Sequence, residues 1–166
     1  MNRIFLLIVI ILSISFILSC NKDNDGAKIN TLQITEGEFN GYSNTFSPNL
    51  GFWSPVNETT NYVHLVLGDD DNMSNGGENV MSIVFYDTGV SQVEFPSPEG
   101  QWIRFGINYD GVVYYFQDDN AVLTITQIDD THFEGTLTGQ FMDVSDSSRK
   151  ISFTLAISLP MQQIKK

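Results

Sequence analysis

The sequence predicts an all-β fold, an antiparallel β-sandwich or flattened barrel of about eight to nine strands after an N-terminal signal peptide. Three observations carry that reading. From Thr31 onward apolar and polar residues alternate, and no stretch of useful length shows helical spacing. Turn signals built from Gly, Asp, Asn and Pro recur between the alternating segments. Met1 to Ser19, by contrast, is almost wholly apolar, with Arg3 its one charged residue.

Residues 1–19 have the build of a secretory signal peptide. The apolar run from Ile4 to Leu18 is broken only by Ser13 and Ser15. As a helix it would span roughly 22 Å, short of the ~30 Å hydrocarbon core of a bilayer. It closes on Ile17, Leu18, Ser19 and Cys20, and Cys20 is the only cysteine in the chain. This ending resembles the bacterial lipobox. The resemblance implies cleavage between Ser19 and Cys20, a diacylglycerol on the thiol and acylation of the new amine. Each buried methylene contributes ~0.8 kcal/mol, so several chains anchor stably where one does not.

Residues 20–30 follow as the lipidated cysteine and a flexible polar tether. Within them Lys22, Asp23 and Asp25 resemble the lysine-plus-acid leader of Bacteroidota lipoproteins sent to the cell surface, with Asn24 departing from that pattern. The resemblance implies an outer-membrane address in the cell envelope, with exposure at the cell surface as the leader's destination.

One domain is expected over residues 31–160, with 161–166 as a polar tail. Strands are expected at 32–39, 62–67, 80–86, 101–107, 112–116, 121–128, 133–141 and 151–159. A short edge strand is expected at 90–95, ending before Pro96 and Pro98, which cannot donate in a ladder. The last strand is the plainest. Ile151, Phe153, Leu155, Ile157 and Leu159 alternate with Ser152, Thr154, Ala156 and Ser158, which sends one face to a core and the other to water. In 133–141, Phe133, Leu137 and Phe141 share a face, and the intervening Gly135 and Gly139 mark a bend or a close approach. Asp110-Gly111 is a hairpin turn, since both residues tolerate positive φ, and Asp129-Asp130-Thr131 is a second turn. The segment 41–60, with Trp53 and Pro55, shows no clear period and reads as a loop crossing one end of the sheets.

Leu123-Thr124-Ile125-Thr126, the acidic turn Asp129-Asp130 and Gly135-Thr136-Leu137-Thr138-Gly139 precede the final alternating strand. Together they resemble the C-terminal half of small Bacteroidota lipoprotein domains. The resemblance covers residues 123–159, bears on fold, and brings no catalytic residues with it.

Composition narrows the partners. After Cys20 the chain carries seven Lys and Arg against 20 Asp and Glu, a net charge of −13. Nucleic acid is excluded as a partner, because phosphate binding needs a basic face. An anionic bilayer surface would repel the domain, so membrane attachment rests on the acylated Cys20. With one cysteine there is no intramolecular disulfide. Twelve Phe, six Tyr and two Trp supply large side chains to a single core.

Few constellations suggest chemistry. Asp87-Thr88-Gly89 has the tripeptide of aspartic proteases, yet no second copy exists to share a proton with it, so it reads as a turn. The loop with Asp69, Asp70, Asp71 and Glu78 concentrates hard oxygen ligands between two strands. EF-hand spacing fails there, since Asn75 stands sixth from Asp70, and Asp69, Asp71 and Glu78 are a weak metal candidate beside the reading as a solvated connection. His64 and His132 lack partners at zinc spacing. Trp53, Trp102, Tyr109, Tyr114 and Tyr115 are weighed as an aromatic face for a glycan or peptide against a role in the core.

The expected function is that of a membrane-anchored lipoprotein with a non-enzymatic binding or envelope-structural β domain. Its partners are the bilayer, through Cys20, and a protein, glycan or small-molecule ligand. No catalytic residue and no cofactor is implied. The alternatives are a lipocalin-like carrier of a small molecule and a hydrolase with an unrecognised site.

Overall fold

The computed structural model describes residues 30–68, 79–97 and 100–164. The expected signal peptide, the expected tether up to residue 29 and the acidic loop with Asp69, Asp71 and Glu78 lie outside the described residues, while Asn30, expected as the tether's last residue, is described and buried against β10. The described chain is all-β. Its strands are β1 (Thr31–Gly37), β2 (Ser43–Thr45), β3 (Pro48–Asn57), β4 (Thr60–Leu67), β5 (Met81–Asp87), β6 (Gln92–Phe95), β7 (Trp102–Tyr109), β8 (Val112–Ile128), β9 (His132–Asp143) and β10 (Lys150–Gln163). The architecture is the antiparallel sandwich or flattened barrel that the alternation predicts, with ten strands in a ring-like sheet.

The ring runs β3–β4–β5–β7–β8–β9–β10 and closes from β10 back to β3. The closing pair is parallel, Met161–Gln163 beside Gly51–Trp53, whereas its other pairs are antiparallel. Two long strands act as forks. One edge of β10 pairs with β1 near Phe153 and with β3 beyond Met161. Likewise β8 pairs with β7 over Val112–Gln117 and with β6 over Ala121–Thr124. Each fork is sealed by a polar side chain where no strand lies alongside. Asn30, buried and at positive φ, donates from its N–H to the Ala156 carbonyl and from Nδ2 to the Ser158 carbonyl. Its Oδ1 accepts the Ser158 N–H at 3.1 Å, so the side-chain amide imitates a strand neighbour. At the other fork the buried Asp118 accepts the Ile103 N–H at 2.7 Å, beside a register shift between Asp118 and Asn120.

Three expectations are corrected. Residues 112–116 and 121–128 are one strand, because the bulge at 118–120 interrupts the alternation without ending the pairing to β9. The segment 41–60 is not a loop and carries β2 and β3. Its period is hidden because the inward positions Gly51 and Trp53 alternate with outward Leu50 and Phe52, so neither face reads as polar. A Cβ on Gly51 would overlap the Met161 sulfur, and glycine there lets the end of β10 lie on β3. Finally, β10 runs past Leu159 to Gln163, with Met161 buried.

Both expected turns are present. Asp110 and Gly111 take φ of 52° and 80° between paired Tyr109 and Val112. Asp129 Oδ1 accepts the N–H groups of Thr131 and His132, closing the β8–β9 hairpin. The interior is filled by phenylalanine. Phe105 stacks on Phe116 at 5.3 Å, Phe141 lies parallel to Phe153 at 4.5 Å, and Phe105 meets both Phe141 and Phe153 edge-on. One end is capped by the turn after β1, where buried Phe39 packs against Tyr109, Tyr114 and Phe116.

Candidate functional site

Side chains alternate across a strand, so every second residue of β3, β4, β5 and β7 points away from the filled interior. The registers align these outward residues in three rows. Phe52, His64, Val84 and Trp102 form the middle row. Ser54, Tyr62 and Tyr86 lie on one side of it, and Leu50, Val66, Ser82 and Arg104 on the other. An outward sheet face normally carries polar residues. This one carries five rings.

The rings make two contact groups, Phe52–His64–Trp102 and Tyr62–Tyr86, in adjacent rows. Ring centroids of Phe52 and His64 are 6.4 Å apart, those of His64 and Trp102 6.2 Å, and those of Tyr62 and Tyr86 6.0 Å. Each of the five is half-buried, while Val66, Ser82 and Val84 are buried despite their outward phase. His64 Nε2 lies 3.4 Å from Ser82 Oγ. Burial lowers the His64 pKa, so its imidazole is neutral at pH 7. Burial, and then the neighbouring Tyr86, raise the pKa of Tyr62, so its hydroxyl keeps its proton and stays a hydrogen-bond donor.

Arg104 is exposed and sits over the Trp102 ring at 5.2 Å from its centroid, a cation–π contact. The other described cations engage acids directly. Arg149 bridges Glu38 at 2.7 Å and Asp143 at 2.8 Å, and Lys150 meets Asp119 at 2.7 Å. None of the outward residues in the three rows is acidic, in a chain with 20 acidic residues. Glu94 stands at the rim, across a groove of about 330 Å³ that begins at Tyr86.

No family model, no curated protein and no solved structure matches this chain. The site is therefore read from its own residues.

The aromatic residues singled out in the sequence do not form one face. Trp102 belongs to the outer layer. Trp53 is half-buried against the core, at a small pocket it shares with Asn61, Asp87 and Asp129, and its Nε1 is buried without a hydrogen-bond partner among the described residues. Tyr109 and Tyr114 pack on Phe39 at the capped end, and Tyr115 is exposed. What the sequence reading missed is the set Phe52, Tyr62, His64 and Tyr86. The signal was present in β4, where Tyr62, His64 and Val66 occupy the phase opposite to Val63, Leu65 and Leu67. A strand with no strongly polar phase carries ring or apolar side chains on both faces, not only toward the core.

The remaining candidates fall into place as connections. Asp87 Oδ1 accepts the Gly89 N–H at 2.9 Å, with Gly89 at φ 80°, which is a tight turn. His132 Nε2 lies 3.2 Å from Glu134 and 3.4 Å from Ser158. Among the described residues no three His, Cys, Asp or Glu side chains are grouped to hold a metal ion.

Proposed function

We propose that this chain is an exported lipoprotein, anchored through acylated Cys20 in the outer membrane, whose β domain binds a partner on the outer face of β3, β4, β5 and β7. The observation that supports the reading is the aromatic layer over that face, set on a core already filled with phenylalanine. Half-buried rings on an outward sheet face, where polar residues are usual, are the kind of surface that recurs where proteins bind. A filled interior favours this reading over the carrier, which would need room inside the ring.

Two measurements test it. Intact-mass analysis of the mature protein should find acyl chains on Cys20, and Cys20→Ala should leave the membrane fraction. An unmodified Cys20 would refute the anchor. In the detergent-solubilised lipoprotein, hydroxyl radicals should label Tyr62, Tyr86 and Trp102, and native envelopes should protect all three. Equal labelling in both preparations would refute the binding face. A stoichiometric apolar molecule co-extracted with the protein would favour the carrier instead.

A further inference from the structure

Resting on that reading of the face, we infer that its ligand is a carboxylated saccharide, held by stacking on the rings and by an ion pair to Arg104. The first argument is charge complementarity. The domain is strongly acidic, yet among the described residues the three rows carry no acid, and their one formal charge is an exposed guanidinium that acts on Asp118 through its charge but is engaged in none of the direct ion pairs that hold Arg149 and Lys150. A planar guanidinium that is stacked on an indole is pre-organised, and its fork of N–H donors matches a carboxylate. An anion drawn to this protein meets repulsion over most of the surface and attraction here.

The second argument concerns the shape of the partner. Strand β4 is paired along both sides, and β3 and β5 leave only short unpaired edges, β3 beyond its pairing with β10 at Gly51–Trp53 and β5 beyond its pairing with β7 at Met81–Val84, so this face offers no long continuous ladder for an added peptide strand. Recognition must use the side chains. Four strands at ~4.8 Å spacing make a surface roughly 14 Å wide, broad and shallow. A sugar ring has an apolar C–H face to lie on Tyr62, Tyr86 or His64, and hydroxyls at its edge for the tyrosine O–H groups. Its carboxylate supplies the charge that Arg104 complements.

Titration of the detergent-solubilised lipoprotein with an oligogalacturonate and with its carboxyl-reduced counterpart of equal length tests the inference. The acid probe should bind, the reduced probe should bind at least tenfold more weakly, and added salt should weaken the acid probe alone. Arg104→Gln should abolish the preference, while Arg104→Lys should restore only part of it. Trp102→Phe should weaken the acid probe several-fold with the melting temperature preserved. Equal binding of both probes would overturn the carboxylate requirement. Binding unaffected by Arg104→Gln would place the site elsewhere and overturn the inference. Binding of neither probe would also overturn it, while protection of Tyr62, Tyr86 and Trp102 in native envelopes would still stand for a partner of another class.

Discussion

Phe153 and Thr154 are neighbours in β10 with opposite fates. Phe153 is buried against Phe141 and Phe105, while Thr154 is exposed and its hydroxyl meets only Thr138 Oγ1 at 3.3 Å. Phe153→Ala should cost about 3–5 kcal/mol and Thr154→Ala no more than about 0.5 kcal/mol in a denaturant titration. Comparable losses would mean that the register is wrong. Asp118 gives a second test. Burial raises its pKa, against the lowering effect of the Ile103 N–H that it accepts. A carboxyl raised in the folded state binds its proton more tightly there, so stability falls as pH rises from the ordinary Asp value of about 3.9 through the folded value. Asp118→Asn keeps an acceptor for Ile103 and removes the charge. Its stability relative to the native protein should improve with pH across that window and then level off, and a flat difference from pH 3 to pH 7 would contradict the buried charge. Asp118→Ala, which strands the Ile103 N–H, should cost about 1–3 kcal/mol below that window and less above it, where the native protein has lost the same stability.

At the scale of the element, the long strands are held by their glycines as much as by their apolar residues. Gly139 in β9 faces Ala121 in β8, and a Cβ there would overlap the Ala121 Cα and the Asn120 carbonyl. Those are backbone atoms at the β8 bulge, and they cannot swing aside as a flexible side chain would. Gly139→Ala should therefore cost about 1–3 kcal/mol, the range of an overpacked core, and thermal unfolding against the native protein measures it. Gly89→Ala serves as the control. Its Cβ meets nothing within 4 Å, so only the strain of its positive φ remains and the loss should be smaller. A larger loss at Gly89 than at Gly139 would refute the close approach. The sequence marks Gly135 and Gly139 as a bend or close approach, but it does not say what approaches. Pairing between two distant segments decides that.

For the whole molecule, a net charge of −13 on the residues after Cys20 is distributed so that, among the described residues, the three outward rows of one sheet face carry none of the acids. The acidic loop with Asp69, Asp71 and Glu78 joins β4 to β5, and Leu67 pairs with Met81 on either side of it. Read as a solvated connection, the loop should leave the melting temperature unchanged in millimolar calcium. A cation site would instead stabilise the fold by about 2.7 kcal/mol at a hundredfold excess over Kd. A calcium-dependent rise that disappears in Asp69→Asn/Asp71→Asn would establish such a site. The filled interior acts at the same scale. With Phe105, Phe116, Phe141 and Phe153 packed against one another inside the ring, apolar side chains fill the interior and hold the sheets together.

By itself the sequence determined the all-β class, most of the strands and the two hairpin turns, because alternation and turn chemistry act between residues close in the chain. It read β3 as a loop, since a strand with glycine facing inward and phenylalanine facing outward has no polar phase to reveal it. The outer aromatic layer was legible only in part. Phe52, His64 and Trp102 stand far apart in sequence, and they become neighbours through the registers of β3 with β4, β4 with β5 and β5 with β7. Only the tertiary structure decided which aromatic residues fill the core, which cap its end and which face outward, because strand pairing sets the direction of each side chain and long-range contacts set the pairing.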